Sequence, residues 1–327
     1  MKILVTGASG FIGSFLVESA LEQGFEVWAA VRPRSSRRWL QDPRIHFITL
    51  SFEADEPLRR ALLDHKSAHG AWDYVVHAAG ATKCLHEADF RRINTEGTER
   101  LARLLVETQT LSGRLAFISS LSVMGLNPLA DTPRPNTAYG RSKLAAEQAL
   151  QSMAELDYVV LRPTGVYGPR EQDYLMMAKS IRRHIDFAVG YRPQVLTFIY
   201  VRDLVQAVWQ ALRTGRRGAA YALTDGQEYA SRDFSLLLQQ ELKVPGVLHI
   251  TAPLCFLRLV CTVCQWWSHL TGRPATLNLD KYRIMSQRDW RADITPAIRD
   301  FGYHPEYPLA RGVKETIRWA TAEAGRL

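Results

Sequence analysis

The chain has 327 residues, 46% of them hydrophobic and 23% charged, and it carries a net charge of +8. This composition is typical of a globular protein and excludes a disordered, collagen-like or low-complexity chain. The length accommodates one large α/β domain or two smaller ones, with enough material for a substantial core.

The first half of the chain alternates short β-branched runs with longer amphipathic segments, which predicts βαβ units and a parallel sheet. Predicted strands are Lys2–Thr6, Glu26–Val31, Ile45–Leu50, Tyr74–His77, Leu115–Ser119 and Tyr158–Arg162. Predicted helices lie near Phe11–Gln23, Pro57–His65, Phe90–Glu107 and Tyr139–Glu155. We expect a doubly wound α/β domain over residues 1–165, to which the strand–helix unit 196–212 returns. Residues 166–195 and 213–327 are expected to form a smaller substrate-binding region.

The turn after the first strand contains three glycines in the spacing GxxGxxG. Gly7 allows a tight turn, Gly10 lets backbone amides approach a diphosphate, and Gly13 allows close packing of helix on strand. Phe11 and Ile12 begin the helix, whose N-terminus stabilises an anion. The pattern predicts a dinucleotide-binding site, with a merely tight turn as the alternative.

The end of the second strand indicates which dinucleotide binds. An acidic residue there would hydrogen-bond a ribose 2′-hydroxyl, but the chain has Val31 and Arg32, followed by further arginines that include Arg37. The segment from Arg32 to Arg44 has five Arg and one Asp, a net charge of +4. Because guanidinium groups bind phosphate oxygens, we predict NADP, with NAD as the alternative. A solvated basic loop would also account for the run, whereas nucleic acid is not expected because no aromatic platform accompanies it.

Tyr139 and Lys143 are four residues apart on one predicted helix face. A neighbouring ammonium favours the phenolate, so Lys143 is predicted to lower the pKa of Tyr139 and prepare it for acid–base catalysis.

With these features in order, the chain resembles the extended short-chain dehydrogenase/reductase superfamily, the NAD(P)-dependent epimerase/dehydratase type, which has a Rossmann fold. The resemblance rests on TGASGFIG at 6–13, HAAG at 77–80, NTEGT at 94–98, SSLSVMG at 119–125, YGRSK at 139–143, LRPTGVYGP at 161–169 and FIYVRDLVQA at 198–207. It implies Ser120, Tyr139 and Lys143 as catalytic residues. It also implies cofactor contacts from Ser51, Phe52, Ala78, Ala79 and Pro163, and from Tyr139 and Lys143 themselves. Substrate contacts are expected from Thr82, Lys83, Ser122 and Tyr167. Asn94 would be structural or part of a proton relay, and a homodimer would form through helices near 98–107 and 139–155.

Several departures from the family pattern narrow the reaction. Dehydratases of this type carry Thr-Asp-Glu where this chain has Ser120-Leu121-Ser122, so the elimination is disfavoured. The Asn that contacts a sugar nucleotide is replaced by Gly165, the motif at 196–203 lacks the family's diphosphate-binding Arg, and Ser51 replaces an acidic residue. The apolar segments 247–250 and 253–267 resemble the hydroxysteroid dehydrogenase and dihydroflavonol reductase branch.

The fifteen-residue segment Pro253–Trp267 includes Arg258 and is too short to span a bilayer, so it predicts a buried or interfacial helix. Its alternatives are a pocket lid, a dimer surface, or a helix in which Trp266 and Trp267 enter a membrane interface. No signal peptide is expected, because the apolar stretch Ile3–Val5 ends at Thr6.

The four cysteines are too few for a disulfide framework, and they favour a reducing, cytoplasmic compartment. Cys261 and Cys264 are interpreted as thiols facing the core. No metal site is expected, since His65 and His69 lack an obvious third ligand. The sequence thus predicts an NAD(P)-dependent oxidoreductase that interconverts an alcohol and a ketone in a small, apolar substrate. A nucleotide-sugar epimerase with retained cofactor and a non-catalytic dinucleotide sensor are the alternatives.

Overall fold

The computed structural model describes residues 1–126, 129–130, 132–272, 275 and 277–323, apart from the side chain of residue 269. The strands are β1 (Lys2–Thr6), β2 (Glu26–Ala30), β3 (Ile45–Ile48), β4 (Trp72–His77), β5 (Leu111–Ile118), β6 (Tyr158–Pro163), β7 (Gly165–Tyr167), β8 (Ile185–Val189), β9 (Val195–Leu196), β10 (Phe198–Tyr200), β11 (Ala220–Leu223), β12 (Tyr229–Ala230) and β13 (Leu248–Ala252). The helices are α1 (Phe11–Glu22), α2 (Asp55–His69), α3 (Glu87–Phe90), α4 (Gly97–Glu107), α5 (Ala138–Gln151), α6 (Gln172–Arg182), α7 (Val201–Thr214), α8 (Asp233–Leu242), α9 (Leu254–Thr271), α10 (Leu279–Ser286), α11 (Thr295–Phe301) and α12 (Leu309–Ala322). A π-helix, Arg91–Glu96, joins α3 to α4, and a 3₁₀ turn covers Leu121–Val123.

Seven parallel strands form the central sheet in the order β11-β6-β5-β4-β1-β2-β3. Successive side chains of β1 point to opposite faces: Ile3 and Val5 join the core beneath α1 and α7, and Leu4 joins the core beneath α2, α4 and α5. Because both faces are covered by helices, the strands are almost wholly apolar. The order of strands reverses between β1 and β4, which is where such sheets bind their ligands. The predicted doubly wound fold is confirmed.

All six predicted strands belong to this sheet, but the prediction for the unit Leu196–Leu212 is wrong in part. Its strand, β10, pairs with β7 in a separate two-stranded ladder, and only its helix, α7, packs on the central sheet. The seventh strand is β11, which pairs with β6, and the amide of Thr164 donates to Leu223 O at the end of that pair.

The helix predicted at Pro253–Trp267 is α9. All four cysteines are free thiols; Cys261 is buried, as predicted, whereas Cys264 is only partly buried. Within the described residues, no helix is long and apolar enough to cross a bilayer.

Candidate active site

The glycine turn between β1 and α1 lies against the loop that follows β4. Gly7 has a φ of +67°, and a Cβ on it would lie 2.7 Å from both the carbonyl oxygen of Ala78 and the amide of Ala79. A Cβ on Gly13 would lie 2.1 Å from the carbonyl oxygen of Gly7. The turn therefore contacts the Ala78–Ala79 backbone at Gly7, and α1 contacts the turn at Gly13. These two close approaches explain why glycine occupies both positions.

The N-terminus of α1 is open to an anion. Gly10 caps the helix without a side-chain hydrogen bond, and the first turn has no acidic residue. Gly10 is exposed, and Phe11 and Ile12 are only partly buried. Unpaired amides and the helix dipole suit a diphosphate, so the turn fits the dinucleotide that the sequence predicted.

The arginines between β2 and β3 differ in their surroundings. Arg44 forms an ion pair with Asp42, with 2.7 Å between Nη2 and Oδ2. The guanidinium of Arg37 lies 4.1 Å from the centre of the Phe47 ring. Arg32 lies two residues after β2 and is exposed; its amide donates to Ser35 Oγ, and its carbonyl oxygen accepts from the Ser35 amide. Arg32 is thus exposed beyond the end of β2, while Arg44 is already paired with Asp42.

Ser51 and Phe52 follow β3 at the same edge of the sheet. Ser51 is exposed, and the ring of Phe52 lies 5.7 Å from that of His77, at the end of β4. Both residues are therefore accessible from the carboxyl ends of the strands, where the cofactor contacts are predicted.

The three predicted catalytic residues lie just after the carboxyl end of β5 and in the first two turns of α5. Ser120 follows β5, its Oγ accepts a hydrogen bond from the amide of Ser122, and its side chain lowers the pKa of Tyr139. Lys143 is buried one turn along α5, where its ammonium donates to Ile118 O at 2.8 Å. The arrangement brings a hydroxyl, a phenol and an ammonium to one edge of the sheet.

The electrostatics of Tyr139 differ from the prediction. Burial raises the pKa of the phenol to about 12, and the side chain of Ser120 opposes that rise. Burial also lowers the pKa of Lys143 to about 8, against the attraction of the nearby Glu147 carboxylate. The prediction that Lys143 lowers the pKa of Tyr139 is wrong for this arrangement, because the ammonium is directed toward Ile118 O and the ring of Phe117.

A buried ion pair between Glu147 and Arg162, not predicted from the sequence, lies one helical turn beyond Lys143. Glu147 lies one turn further along α5, and its carboxylate accepts hydrogen bonds from the Arg162 guanidinium on β6 and from Ser119 Oγ. Glu147 is 7% exposed, so its charge is poorly screened. The spacing of Lys143 and Glu147 on one helix face was the available sequence signal.

The N-terminus of α5 is capped twice. The amide of Gly140 donates to Thr137 Oγ1 at 3.0 Å, the usual N-cap contact. In addition, Asp280 Oδ2, on α10, accepts from the amides of Ala138 at 2.8 Å and Tyr139 at 3.3 Å. The second half of the chain therefore helps to position the catalytic helix. Thr137 was recognisable as a cap from its place before the helix, whereas Asp280 had no local signal.

Asn94 is fully buried and joins two parts of the site by hydrogen bonds. Its side chain accepts from the amide of Ala81 at 2.8 Å and donates to Ala81 O and to Ser142 Oγ, both at 3.0 Å. These bonds tie the loop after β4 to α5, and both roles that the resemblance implied for Asn94, a structural one and a proton relay, stay predictions.

A cavity of about 370 Å³ opens beside Ser120. The ends of β5 and β6 contribute Ser120, Ser122 and Pro163, and the rest of the wall comes from the second half of the chain. Its aromatic side chains are Tyr174, Phe187, Phe198, Phe234 and Trp290. Gly165 also lines it, where a Cβ would lie 2.8 Å from the Tyr174 hydroxyl.

Three predicted substrate residues lie elsewhere. Tyr167 is fully buried in the core among α6, α8 and α12, and its hydroxyl donates to Leu309 O, so it does not contact a ligand in this cavity. Thr82 and Lys83 are outside the cavity wall, and the Lys83 ammonium forms an ion pair with Asp173 at 3.1 Å. Only Ser122 of the four predicted substrate residues lines the cavity.

A doubly wound sheet with a glycine turn at its switch point and a Ser–Tyr–Lys group at the neighbouring strand ends defines a nicotinamide-dependent enzyme of the extended short-chain dehydrogenase/reductase type. The chain belongs to the NAD dependent epimerase/dehydratase family, whose model matches residues 3–223.

Individual relatives span nearly the whole chain. A ceramide reductase from Caulobacter vibrioides is 25% identical, over 98% of this chain and 94% of its own length. A UDP-glucose 4-epimerase from Vibrio cholerae is 31% identical, over 97% of this chain and 94% of its own. The solved structure of a Thermotoga maritima UDP-glucose 4-epimerase with UDP-glucose has a TM-score of 0.78 at 21% identity, covering 98% of this chain and 99% of that one. This last likeness concerns the fold.

Proposed function

We propose that the protein transfers a hydride between a nicotinamide dinucleotide, NADP in preference to NAD, and the carbon of an alcohol or ketone in a small apolar substrate. Residues 1–165, with α7 packed on their sheet, would hold the cofactor, and residues 166–200 and 213–327 would supply most of the substrate site.

The chemistry of the cavity beside Ser120 carries this proposal. Among the described residues, its wall contains no Arg, Lys, His, Asp or Glu. Its polar groups are partly engaged already: Gln194 Nε2 donates to the carbonyls of Met285 and Gln287, both at 2.8 Å. Burying a diphosphate in such a site would leave its charges without cations, which is energetically costly. An apolar ketone or alcohol loses little on entering it.

The protonation states favour reduction at neutral pH. The bound nicotinamide would supply or accept the hydride. With a pKa of about 12, Tyr139 is a neutral phenol that can donate its proton to the oxygen of a ketone as the carbon is reduced. Ser120 Oγ would hydrogen-bond that same oxygen, and Lys143 would hold the cofactor ribose. In the oxidative direction the phenol must first lose its proton, so we expect oxidation to need a higher pH.

The test is to follow NADPH absorbance with steroid-like and long-chain ketones, and with UDP- and dTDP-hexoses in parallel. We expect stoichiometric oxidation of NADPH with a subset of the ketones. The Tyr139→Phe variant should lose at least about a hundredfold in kcat, since it removes the proton donor. Tyr74→Phe, which removes a hydroxyl on β4 away from the cavity, is the matched control. Undiminished turnover in Tyr139→Phe would overturn the assignment.

The preference for NADP is tested at Arg32. We expect Arg32→Ala to weaken NADPH binding about tenfold and to leave NADH binding unchanged, because the guanidinium would contact only the 2′-phosphate. Arg44→Ala is the control, since Arg44 is paired with Asp42. Equal affinity of the unaltered protein for NADH and NADPH would refute the preference.

A nucleotide-sugar epimerase is the second candidate, supported by the 31% identity with the Vibrio cholerae enzyme. Such an enzyme would interconvert a UDP-hexose with no net change in cofactor absorbance. Strong thermal stabilisation by a UDP-sugar, together with epimer formation, would replace the oxidoreductase proposal.

We also propose a cytoplasmic homodimer that assembles through α4 and α5. The four free thiols support a reducing compartment. Sedimentation velocity of the full chain tests the dimer, and a monomer at micromolar concentration would refute it.

A further inference from the structure

Helix α9 presents an unusually apolar outer face. Phe256, Leu259, Val263, Trp266, Trp267 and Leu270 are each 54–62% exposed. Their spacing of three, four and three residues, with Trp267 beside Trp266, places them along one side of the helix. The opposite side is buried: Leu257 and Cys261 are 7% and 0% exposed. A solvent-exposed hydrophobic surface of this extent marks an interaction site.

The ladder of β8 and β13, directly before α9 in the chain, continues this surface. Phe187 pairs in register with Ile250, and Phe187, Leu248 and Tyr191 are 61%, 63% and 74% exposed. A Cβ on Gly190, at the end of β8, would lie 3.6 Å from Leu254, the first residue of α9. We call α9 together with β8 and β13 the apolar face.

Three exposed arginines border the apolar face, whereas Asp186, the acidic residue of β8, is buried and pairs with His249 on β13 at 2.8 Å. No Asp or Glu occurs from Leu242 to Leu279, or from Phe187 to Arg202. Arg192, Arg258 and Arg288 are exposed, and none of them forms an ion pair with another described residue. A second copy of this chain meeting the face by two-fold symmetry would bring like charges together. Phospholipid phosphates would complement them.

The cavity beside Ser120 also extends toward this face. A second cavity, of about 410 Å³, shares Val189, Gln194 and Met285 with the first and reaches Arg192 and Leu254. Phe187 lines the first cavity while remaining largely exposed. The two cavities thus adjoin, so an apolar molecule in the outer part of a bilayer would lie next to the cavity that contains Ser120.

We propose that the apolar face docks in the plane of a bilayer surface with anionic headgroups, with α9 as an interfacial helix and the arginines on lipid phosphates. Tryptophan, phenylalanine and leucine on one helix face, with flanking arginine, are the side chains that such helices use. Docking does not depend on the proposed reaction. Only the entry of substrate from the lipid rests on the proposed function.

The test is flotation of the full chain with vesicles of phosphatidylcholine alone or with about 30 mol% phosphatidylglycerol, because anionic lipids attract basic residues near the surface. We expect binding to the anionic vesicles, weaker binding to the neutral ones, and weakening with salt. Trp266→Ser/Trp267→Ser should reduce the partition at least about tenfold, because two exposed apolar anchors are lost. Arg258→Glu should reduce it on anionic vesicles only.

The matched control is Leu63→Ser/Ile298→Ser, which removes two exposed apolar side chains on α2 and α11. It should float as the unaltered protein does. Failure to bind either vesicle would overturn the proposal, as would binding that the tryptophan variant leaves intact. Conversion of a dimer to a monomer by that variant, without vesicle binding, would assign the face to a second copy. Since flotation needs neither cofactor nor substrate, these outcomes are separate from failure of the proposed reaction.

Discussion

Substitution of Gly13 by alanine tests the geometry of the glycine turn most directly. The added Cβ would lie 2.1 Å from Gly7 O, 2.6 Å from Gly7 C and 2.9 Å from the Cα of Ala8. All three are backbone atoms, which cannot rotate away as a side chain can. The same Gly7 oxygen accepts the amide of Gly10 at 2.9 Å, so moving it also disturbs the turn.

The size of the effect follows from these distances. Ordinary van der Waals contact begins at 3.4 Å, so α1 and the turn would have to separate by about 1.3 Å. Overpacking of this kind costs about 3 kcal/mol at the upper end of its usual range. For a chain of this length, that loss corresponds to a fall of about 4 °C in Tm. The displaced amides should also weaken cofactor binding by at least about tenfold.

Gly10→Ala provides the matched comparison. Its Cβ would lie 3.1 Å from the same Gly7 oxygen, with no other atom within 4 Å, and its φ of −80° suits any residue. We expect Gly10→Ala to change Tm by less than about 2 °C while weakening cofactor binding, because the methyl group projects beside the exposed amides. Thermal unfolding and NADPH titration measure both quantities. A Gly13→Ala protein with unaltered Tm and affinity would refute the contact between turn and helix.

Three further predictions concern the site itself. Asp280→Ala removes an acceptor from the amides of Ala138 and Tyr139, so we expect a loss of about 1 kcal/mol in unfolding free energy and a lower kcat, measured by denaturation and turnover. The pKa of Lys143 is about 8 in the folded chain, below its ordinary value of 10.5, so between pH 8 and 10.5 the unfolded chain binds more protons and this group makes stability rise with pH. Because the Glu147 carboxylate raises the pKa of Lys143, Glu147→Gln should move the start of that rise below pH 8, as measured by denaturant titrations across pH. A rise that still starts at pH 8 would contradict the coupling between Glu147 and Lys143. Gly165→Val should raise KM for apolar ketones about tenfold, because its Cβ would meet a tyrosine hydroxyl in the cavity, and unchanged KM would mean that substrate binds elsewhere.

The cofactor half of the molecule could be predicted from sequence because its causes are local. A parallel strand buried on both faces appears as a continuous β-branched or apolar run, as in Lys2–Thr6. Gly7 and Gly13 are required by contacts within the turn or with the next strand end. Tyr139 and Lys143 share a helix face by spacing alone. The elements and the glycine turn therefore follow from periodicity and steric limits.

The substrate half could not be predicted, because its causes are separated in the chain. Asp280 caps the catalytic helix from 142 residues away, and no local pattern indicates that contact. Tyr167 belongs to a motif adjoining the site, yet the short strand β7 directs its ring into the core, where a Cβ on Gly312 would overlap it. Sequence proximity to a motif does not determine on which side of a three-residue strand a side chain lies.

The pKa of Tyr139 shows the same division between spacing and environment. The four-residue spacing correctly predicted that Tyr139 and Lys143 would occupy one helix, but burial, not the ammonium, dominates the pKa of the phenol. Desolvation penalises the charged form of each group, so it raises the pKa of the phenol and lowers that of the ammonium, and both act against a phenolate–ammonium pair.

The structure shows where part of the net charge of +8 lies. Exposed arginines follow β2, where we propose that a 2′-phosphate binds, and others border the apolar face, whereas the described wall of the cavity beside Ser120 contains no ionisable cation. Positive charge on these two surfaces attracts anionic groups, whereas the neutral wall of the cavity excludes them by desolvation. A substrate compatible with both conditions has an apolar body that enters the cavity and carries any phosphate outside it. A sugar diphosphate, which must carry its charges inside, satisfies only the first condition.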